Sequence, residues 1–169
     1  NRDNVLLSMD TNPDNYLEML VAAYTYAKDV NPNKLILNAA TTAIAQNYSQ
    51  TLDYNKRLKD SGVENFIDRF AIHFYGEQYE NVVRDNGVAD FLNSLSRSIW
   101  ITESGAQGVN NQLPYVERAW PFLRERVGAI DRIYYYQFAS LDSAESAYGL
   151  KNTSQNLPIS DLYVYLRDR

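Results

Sequence analysis

Helix-like and strand-like segments alternate along this chain, and that alternation restricts the fold more than any other feature of the sequence. Four short apolar runs have the length of strands: "KLILN", "FIDRFAIHFYG", "IWITE" and "DRIYYYQF". The segments around them repeat apolar residues at helical spacing, as in "NYLEMLVAAYTYAKDV". The pattern predicts an α/β fold in which βαβ units build a parallel sheet of four strands with five helices.

Local signals place several helix ends. The first helix is predicted to begin at Pro13, because Thr11 and Asn12 are capping residue types and proline suits the first helical position. A second helix is predicted to stop near Gly62, a residue type that favours the C-terminal cap. Pro121 is predicted to kink or restart the helix that follows "IWITE".

Composition excludes several classes of partner and site. The formal net charge is −5 without a cluster of Lys or Arg, which argues against nucleic acid as a partner. No apolar stretch approaches the roughly 20 residues of a membrane span. The chain has no Cys and one His, so neither a disulfide framework nor a thiolate or multi-histidine metal site can form, and no cofactor is predicted. Fourteen Tyr suggest a polar pocket lined by aromatic rings.

Polar side chains follow three of the four predicted strands. His73 and Tyr75 come after "FAI", Glu103 comes after "IWIT", and Tyr136 with Gln137 comes after "RIYY". Because the carboxyl ends of parallel strands carry the ligand sites in α/β architectures, the coincidence predicts a site at this edge of the sheet. Taken singly, each residue is equally compatible with an ion pair, a satisfied core histidine or simple packing.

At these residues the sequence resembles the C-terminal half of a (β/α)8-barrel glycoside hydrolase. The likeness is to the retaining clan of cellulase-like and β-xylosidase-like enzymes, which carry catalytic glutamates on strands 4 and 7. "FIDRFAIHFYG" resembles strand 6, with Asp68 at its start and His73 and Tyr75 at its end. "IWITESG" resembles strand 7, where Glu103 falls on the nucleophile. "IYYYQF" followed by "LDSAESAYGLKN" resembles strand 8 and its loop, and "YNKRLKDSGVENFID" resembles the approach to strand 6.

The resemblance implies both a fold and a function. Residues 1–169 are expected to form a single unit, a partial barrel of strands 5 to 8 and helices 4 to 8. The implied reaction is hydrolysis, with retention, of O-glycosyl bonds in a β-linked saccharide, with Glu103 as nucleophile. The residues expected to bind the carbohydrate substrate are His73, Tyr75, Tyr136, Gln137 and Asn38.

One departure from the family pattern affects the expected activity. The acid/base glutamate of the clan follows an Asn, and "NRDNVLLSMDTNPDN" contains no Asn-Glu pair. The acid/base residue is therefore expected outside this chain, which alone should be inactive. A fragment completed by the remaining half of its barrel is favoured, and a self-associating half barrel and an inactive relative stay open. The alternative function is a non-catalytic carbohydrate-binding or surface-interaction protein.

Three further residues are weighed by position. Asp68 lies at the amino end of its predicted strand, the wrong end for catalysis. Glu77, in the loop "GEQYE", fits a solvated charge better than a substrate contact. Strand alternation predicts that Trp100, three residues before Glu103, faces the opposite side of the sheet and packs against helices.

Overall fold

The fold alternates helices and strands as the sequence predicts. A computed structural model describes residues 12–41, 43–45, 50–75, 87–140, 143, 147–152 and 159–169. The helices are α1 (Pro13–Val30), α2 (Gln50–Asp60), α3 (Val88–Asn93), α4 (Gln112–Arg126) and α5 (Asp161–Arg167), with a 3-10 turn at Val63–Phe66. The strands are β1 (Phe70–Tyr75), β2 (Ile99–Gly105), β3 (Ile130–Tyr135), β4 (Ala139–Ser140) and β5 (Lys151–Asn152).

The central sheet is parallel throughout. Within the described residues it contains three strands in the order β1-β2-β3, and the short strands β4 and β5 form a separate parallel pair. Each neighbouring pair in the main sheet is joined through a helix, α3 between β1 and β2 and α4 between β2 and β3. This confirms the predicted α/β class and agrees with a partial (β/α)8 barrel.

The predicted helix signals hold at the start of α1. The Asn12 side-chain oxygen accepts hydrogen bonds from the N–H groups of Asp14 (3.0 Å) and Asn15 (2.9 Å), and Pro13 occupies the first helical position. In α4 the predicted restart does not occur, because the helix runs without interruption through Pro121. None of the described helices combines the length and the apolar character needed to cross a membrane.

The first predicted strand, 34–38, is reduced to a single parallel bridge between Leu37 and Arg69. Part of its pairing is taken over by a side chain, because the Asp68 carboxylate accepts a hydrogen bond from the N–H of Ile36 at 2.7 Å. A backbone donor held in this way does not join a regular ladder, so the regular sheet has three strands where the sequence predicts four.

The side chain of Asn38 also substitutes for strand pairing. Its Oδ1 accepts from the N–H of Ala71 at 2.7 Å, and its Nδ2 donates to the Ala71 carbonyl at 3.0 Å. The same Nδ2 donates to the Ala39 carbonyl at 3.1 Å. Asn38 is buried, so these bonds satisfy an amide that would otherwise be costly to desolvate. This amide therefore extends the sheet edge beside β1.

The main hydrophobic core lies between one face of the sheet and the helices. Alternate residues of β1 and β2 and two isoleucines of β3 supply its sheet side, and each buried aliphatic or aromatic side chain contributes about 1.5–3 kcal/mol. The strand members are Phe70, Ile72, Phe74, Ile99, Ile101, Ile130 and Ile133. The helical members include Leu20, Leu52, Leu58, Val88, Phe91, Leu92 and Leu123. The helices thus cover this face and leave the opposite face for the site.

Candidate active site

Glu103 lies at the carboxyl end of the sheet beside two side chains from the neighbouring strand. The hydroxyl of Tyr75 donates a hydrogen bond to Glu103 Oε2. His73 Nδ1 lies 3.5 Å from the same oxygen. The ring of Tyr136 packs edge-on against that of Tyr75, with centroids 6.0 Å apart and an interplanar angle of 80°. The structure therefore brings together four of the residues that the sequence singled out.

A bulge in β2 turns Glu103 toward this site. Ile101 pairs with Ile72 of β1, but the next paired residue of β1, His73, lies opposite Glu103, so Thr102 is an extra residue in β2. The register against β3 shifts in the same interval. Because side chains alternate between faces along a strand, one extra residue reverses the faces that follow it. Ser104 consequently lies on the buried helix side, and Glu103 lies on the open side.

The bulge also corrects the prediction made for Trp100. Ile99 and Ile101 belong to the core on the helix side, so Trp100 between them lies on the opposite face, which is also the face of Glu103. Its indole N–H donates to Asp131 Oδ2 at 3.0 Å, and its ring centroid is 5.8 Å from that of Tyr134. The predicted helix packing was wrong, because simple alternation does not account for an inserted residue.

The electrostatics around Glu103 differ from those of an ordinary ion pair. Burial lowers the pKa of the His73 imidazole below its ordinary value, and the neighbouring Glu103 carboxylate offsets only part of that effect. His73 is therefore mainly neutral at pH 7, and its contact with Glu103 joins a carboxylate to an uncharged ring. Both side chains remain partly accessible, 22% for His73 and 36% for Glu103.

Tyr75 remains a hydrogen-bond donor over the whole physiological pH range. Burial is the main cause that raises the pKa of its hydroxyl, and the hydrogen bond to Glu103 and the charge of that carboxylate raise it further. A protonated phenol presents its O–H to the carboxylate, so one of the two carboxylate oxygens is held in a fixed direction.

Tyr148 completes the aromatic wall, and sequence reasoning missed it. Its ring centroid lies 5.4 Å from that of Tyr75 and 6.3 Å from that of Tyr136. The buried Gln112 side chain, at the start of α4, holds this segment by donating to the carbonyls on either side of Tyr148, at 3.0 and 3.3 Å. The only sequence signal was its position in "SAYGLKN", directly before the Gly-Leu pair that matched the strand 8 loop.

Gly105 allows the wall to approach the end of β2. A Cβ atom at this position would lie 2.8 Å from the backbone oxygen of Tyr136 and 3.3 Å from Cδ1 of Tyr148. Any larger residue would therefore displace the backbone of the β3 end. The absence of a side chain here lets Tyr136 and Tyr148 pack closely against the end of β2.

The comparison with protein families agrees with this arrangement. Residues 9–155 match the model of the glycosyl hydrolase catalytic core. The chain belongs to this family. No protein among the curated ones matches the sequence.

Solved structures of glycosidases share the fold at low sequence identity. The catalytic domain of GH30 xylanase C from Talaromyces cellulolyticus aligns with a TM-score of 0.55 and 14% identity, over 90% of this chain and 34% of that one. BuGH86wt, solved in complex with neoagarooctaose, aligns with a TM-score of 0.62 and 14% identity, over 93% of this chain and 30% of that one. A GH128 exo-β-1,3-glucanase from Aureobasidium namibiae aligns with a TM-score of 0.57 and 14% identity, over 89% of this chain and 62% of that one. The chain thus spans about a third of the first two structures and less than two thirds of the third.

The other residues named from the sequence lie at the margin of the site or outside it. Gln137 is joined to the Tyr148 segment through its backbone, with its N–H donating to the Tyr148 carbonyl (3.4 Å) and its carbonyl accepting from Leu150 (2.9 Å). Asn38 has its amide engaged with the backbone of Ala71. Glu77 lies outside the described residues. Among the described residues, no three His, Asp or Glu side chains lie close enough together to hold a metal ion.

Proposed function

We propose that this chain carries the nucleophile of a retaining glycoside hydrolase that cleaves O-glycosyl bonds in a β-linked saccharide. Glu103 is the nucleophile, and the acid/base residue comes from outside these 169 residues. The observation that carries the proposal is the setting of Glu103 in a glycosyl hydrolase catalytic core. Its carboxylate sits at the carboxyl end of a parallel strand and is held by the Tyr75 hydroxyl.

The reaction proceeds in two displacements. A carboxylate oxygen of Glu103 attacks the anomeric carbon, the bond from that carbon to the leaving oxygen breaks, and the leaving oxygen takes a proton from the acid. Water, deprotonated by the same group acting as base, then attacks the anomeric carbon and releases the carboxylate. Two inversions at one carbon give net retention.

The contacts of Glu103 assign a part to each of its oxygens. Tyr75 and His73 both approach Oε2, so Oε1 is the oxygen directed at the anomeric carbon. The neutral imidazole of His73 can donate or accept a hydrogen bond with a sugar hydroxyl. Tyr136, 36% exposed, offers a ring face or edge to the pyranose, and Gln137 follows it. Because its amide is engaged with the backbone, Asn38 is left out of the proposed site.

The structural relatives support a polysaccharide as the class of substrate. They include a xylanase and an exo-β-1,3-glucanase, and one was solved with neoagarooctaose. Their shared chemistry is the glycosidic bond, and the sugar ring differs among them. A panel of β-xylosides, β-glucosides and β-galactosides therefore tests this chain without assuming one sugar.

The nucleophile can be tested without the acid/base residue. In 2,4-dinitrophenyl 2-deoxy-2-fluoro-β-glycosides, dinitrophenolate leaves with the electron pair of its bond to carbon and needs no proton from an acid. The fluorine slows hydrolysis of the covalent intermediate, so the glycosyl group stays on the carboxylate. We expect the full chain to gain the mass of one fluoroglycosyl group from at least one member of the panel. The label should map to the peptide that contains Glu103.

Two variants make the labelling experiment specific. Glu103→Gln removes the anion and should show no labelling. Asp131→Asn changes a carboxylate on the same sheet face at the amino end and should label at the normal rate. Natural saccharides should not turn over usefully on this chain alone, since general acid catalysis contributes roughly 10²–10⁴-fold. Binding of the panel sugars without any label on Glu103 would instead support the non-catalytic alternative.

A further inference from the structure

A chain of largely buried hydrogen bonds lies directly behind Glu103, on the helix side of the sheet. The indole N–H of Trp120 donates to Ser104 Oγ at 3.3 Å. Ser104 Oγ and the Tyr115 hydroxyl oxygen are 2.8 Å apart. The Tyr115 hydroxyl donates to the Phe74 carbonyl at 3.4 Å. Either hydroxyl can donate in the Ser104–Tyr115 contact, and when Tyr115 donates to Phe74, Ser104 is the donor to Tyr115. The bonds thus run from Trp120 of α4 to Ser104 of β2, back to Tyr115 of α4, and on to Phe74 of β1.

Three members of this hydrogen-bond chain are buried, and Trp120 is partly exposed. Ser104 and Phe74 are 0% exposed and Tyr115 is 5% exposed. Burial raises the pKa of Tyr115 to about 12, so its hydroxyl keeps its proton at neutral pH. A buried polar group that loses its partner incurs the full cost of desolvation, which favours the one arrangement in which every member is bonded.

This hydrogen-bond chain includes the residues adjacent to Glu103 and Tyr75 in the sequence. Ser104 follows Glu103 and is the first residue after the bulge at which β2 pairs with both neighbouring strands, β1 and β3. Phe74 precedes Tyr75. The carbonyl of Ser104 also accepts from the N–H of Tyr136 at 2.8 Å, which ties the end of β3 to the same residue. The bonds behind the sheet therefore fix the strand ends whose front sides carry Glu103, Tyr75 and Tyr136.

We infer that Ser104, Tyr115 and Trp120 are positioning residues that hold the β2 bulge and so keep Glu103 in register with Tyr75 and His73. Without Ser104 anchored to α4, the extra residue of β2 is free to redistribute, and Glu103 turns away from the Tyr75 hydroxyl. The expected effect on the reactivity of Glu103 rests on its proposed function. The expected effect on the position of Glu103 rests on the hydrogen bonds alone.

The inference is tested with Tyr115→Phe and Ser104→Ala, using Tyr135→Phe as the matched control. Tyr135 is a partly buried tyrosine beside β2, and its hydroxyl donates to the Ala106 carbonyl at 3.3 Å and not to Ser104. The first readout is the rate at which Glu103 is labelled by the dinitrophenyl fluoroglycosides. The second is the pKa of His73, measured by NMR from the one histidine in the sequence.

The pKa of His73 reports on the position of Glu103 whether or not the site is catalytic. The Glu103 charge raises that pKa, so moving the carboxylate away lowers it. Glu103→Gln calibrates the full effect. We expect Tyr115→Phe and Ser104→Ala to shift the pKa of His73 downward, toward the value in Glu103→Gln. Labelling should slow by about 10-fold to 100-fold, as expected for a displacement of about an ångström.

The outcomes distinguish failure of this inference from failure of the proposed function. An unchanged His73 pKa in both Tyr115→Phe and Ser104→Ala overturns the inference. An equal shift in Tyr135→Phe overturns it as well, because loss of any buried hydroxyl would then have the same effect. If the unsubstituted chain is not labelled, the proposed function fails. A downward shift confined to Tyr115→Phe and Ser104→Ala then still supports the positioning role.

Discussion

Carboxylates at the two ends of the parallel sheet have different kinds of neighbours. At the amino end, Asp68 pairs with Lys28 at 2.8 Å, and Asp131 lies 3.7 Å from Arg69. At the carboxyl end, Glu103 has a phenol and a mainly neutral imidazole as neighbours. In the described part of the chain, no Lys or Arg forms an ion pair with it.

The difference is the one expected between a carboxylate that stabilises the fold and a carboxylate that acts in catalysis. A cation beside a carboxylate stabilises the folded state but also neutralises the carboxylate and occupies its oxygens. A phenol binds one oxygen without neutralising the charge and leaves the other oxygen reachable. A nucleophile requires the second arrangement. The contrast therefore predicts that carboxylate variants at the two ends affect different properties of the protein.

The largest loss of stability is expected for Asp68→Asn. Burial alone would raise the pKa of the Asp68 carboxyl, but the hydrogen bonds from Lys28 and from the N–H of Ile36 outweigh it and hold that pKa below its usual range. Removing the charge should lower the free energy of unfolding by about 1.5–3 kcal/mol. Urea unfolding measures this directly. Asp53→Asn, on the exposed side of α2, is the control and should change it by less than about 0.5 kcal/mol. Equal effects of the two variants would contradict the structural role of Asp68.

Gly105→Ala should disturb the carboxyl end without changing any charge. The new methyl group would lie 2.8 Å from the Tyr136 carbonyl oxygen, and relieving that contact requires backbone movement that costs about 1–3 kcal/mol. Slower labelling of Glu103 should accompany the loss of stability, because Tyr136 and Tyr148 are displaced.

Gly128→Ala is the matched control, since a Cβ atom there has no neighbour within 4 Å. It should leave both properties unchanged or stabilise the fold slightly, because alanine restricts the unfolded chain more than glycine does. A Gly105→Ala protein as stable and as readily labelled as Gly128→Ala would show that the close packing at the end of β2 is unimportant.

The smallest expected effect is a pH dependence that differs between the two ends. The pKa of His73 is lowered on folding, so the unfolded chain binds more protons once the pH falls below the ordinary histidine value of about 6.5, and stability declines there. The pKa of Asp68 is also lowered, but that carboxyl keeps its contribution until the pH falls below about 3.9.

Urea unfolding at pH 7.5 and pH 5.5 separates these windows. The unsubstituted chain should lose more stability between the two pH values than His73→Asn does. The difference in free energy of unfolding between Asp68→Asn and the unsubstituted chain should be the same at both pH values. A His73→Asn protein with the same pH dependence as the unsubstituted chain would show that His73 does not titrate as its burial implies.

The elements that depend on local sequence were predictable, and those that depend on long-range hydrogen bonds were not. Helical spacing and the Asn12-Pro13 cap located α1, and the apolar run before Glu103 located β2. The irregular segment 34–38 was predicted as a strand because its apolar run looks like one. Its pairing is partly taken over by Asp68, thirty-two residues away from Ile36, and no local pattern reveals that.

The candidate site was predictable in the same partial way. The gathering of Glu103, His73, Tyr75 and Tyr136 follows from parallel strands ending at one edge. The bulge at Thr102 does not follow from sequence, because alternation was taken to continue unbroken through β2. Tyr148 belongs to a segment whose course depends on hydrogen bonds from Gln112 of α4. Its place in the site could therefore be seen only in the tertiary structure.

The central claim is that the charge of Glu103 serves chemistry and not stability. The most direct test measures fluoroglycoside labelling and urea unfolding on the same Glu103→Gln protein. We expect labelling to disappear while the free energy of unfolding changes by less than about 1.5 kcal/mol, because the amide oxygen of Gln can still accept the Tyr75 hydrogen bond. Retained labelling together with a loss of about 3–5 kcal/mol, the size expected for a broken buried ion pair, would contradict the claim.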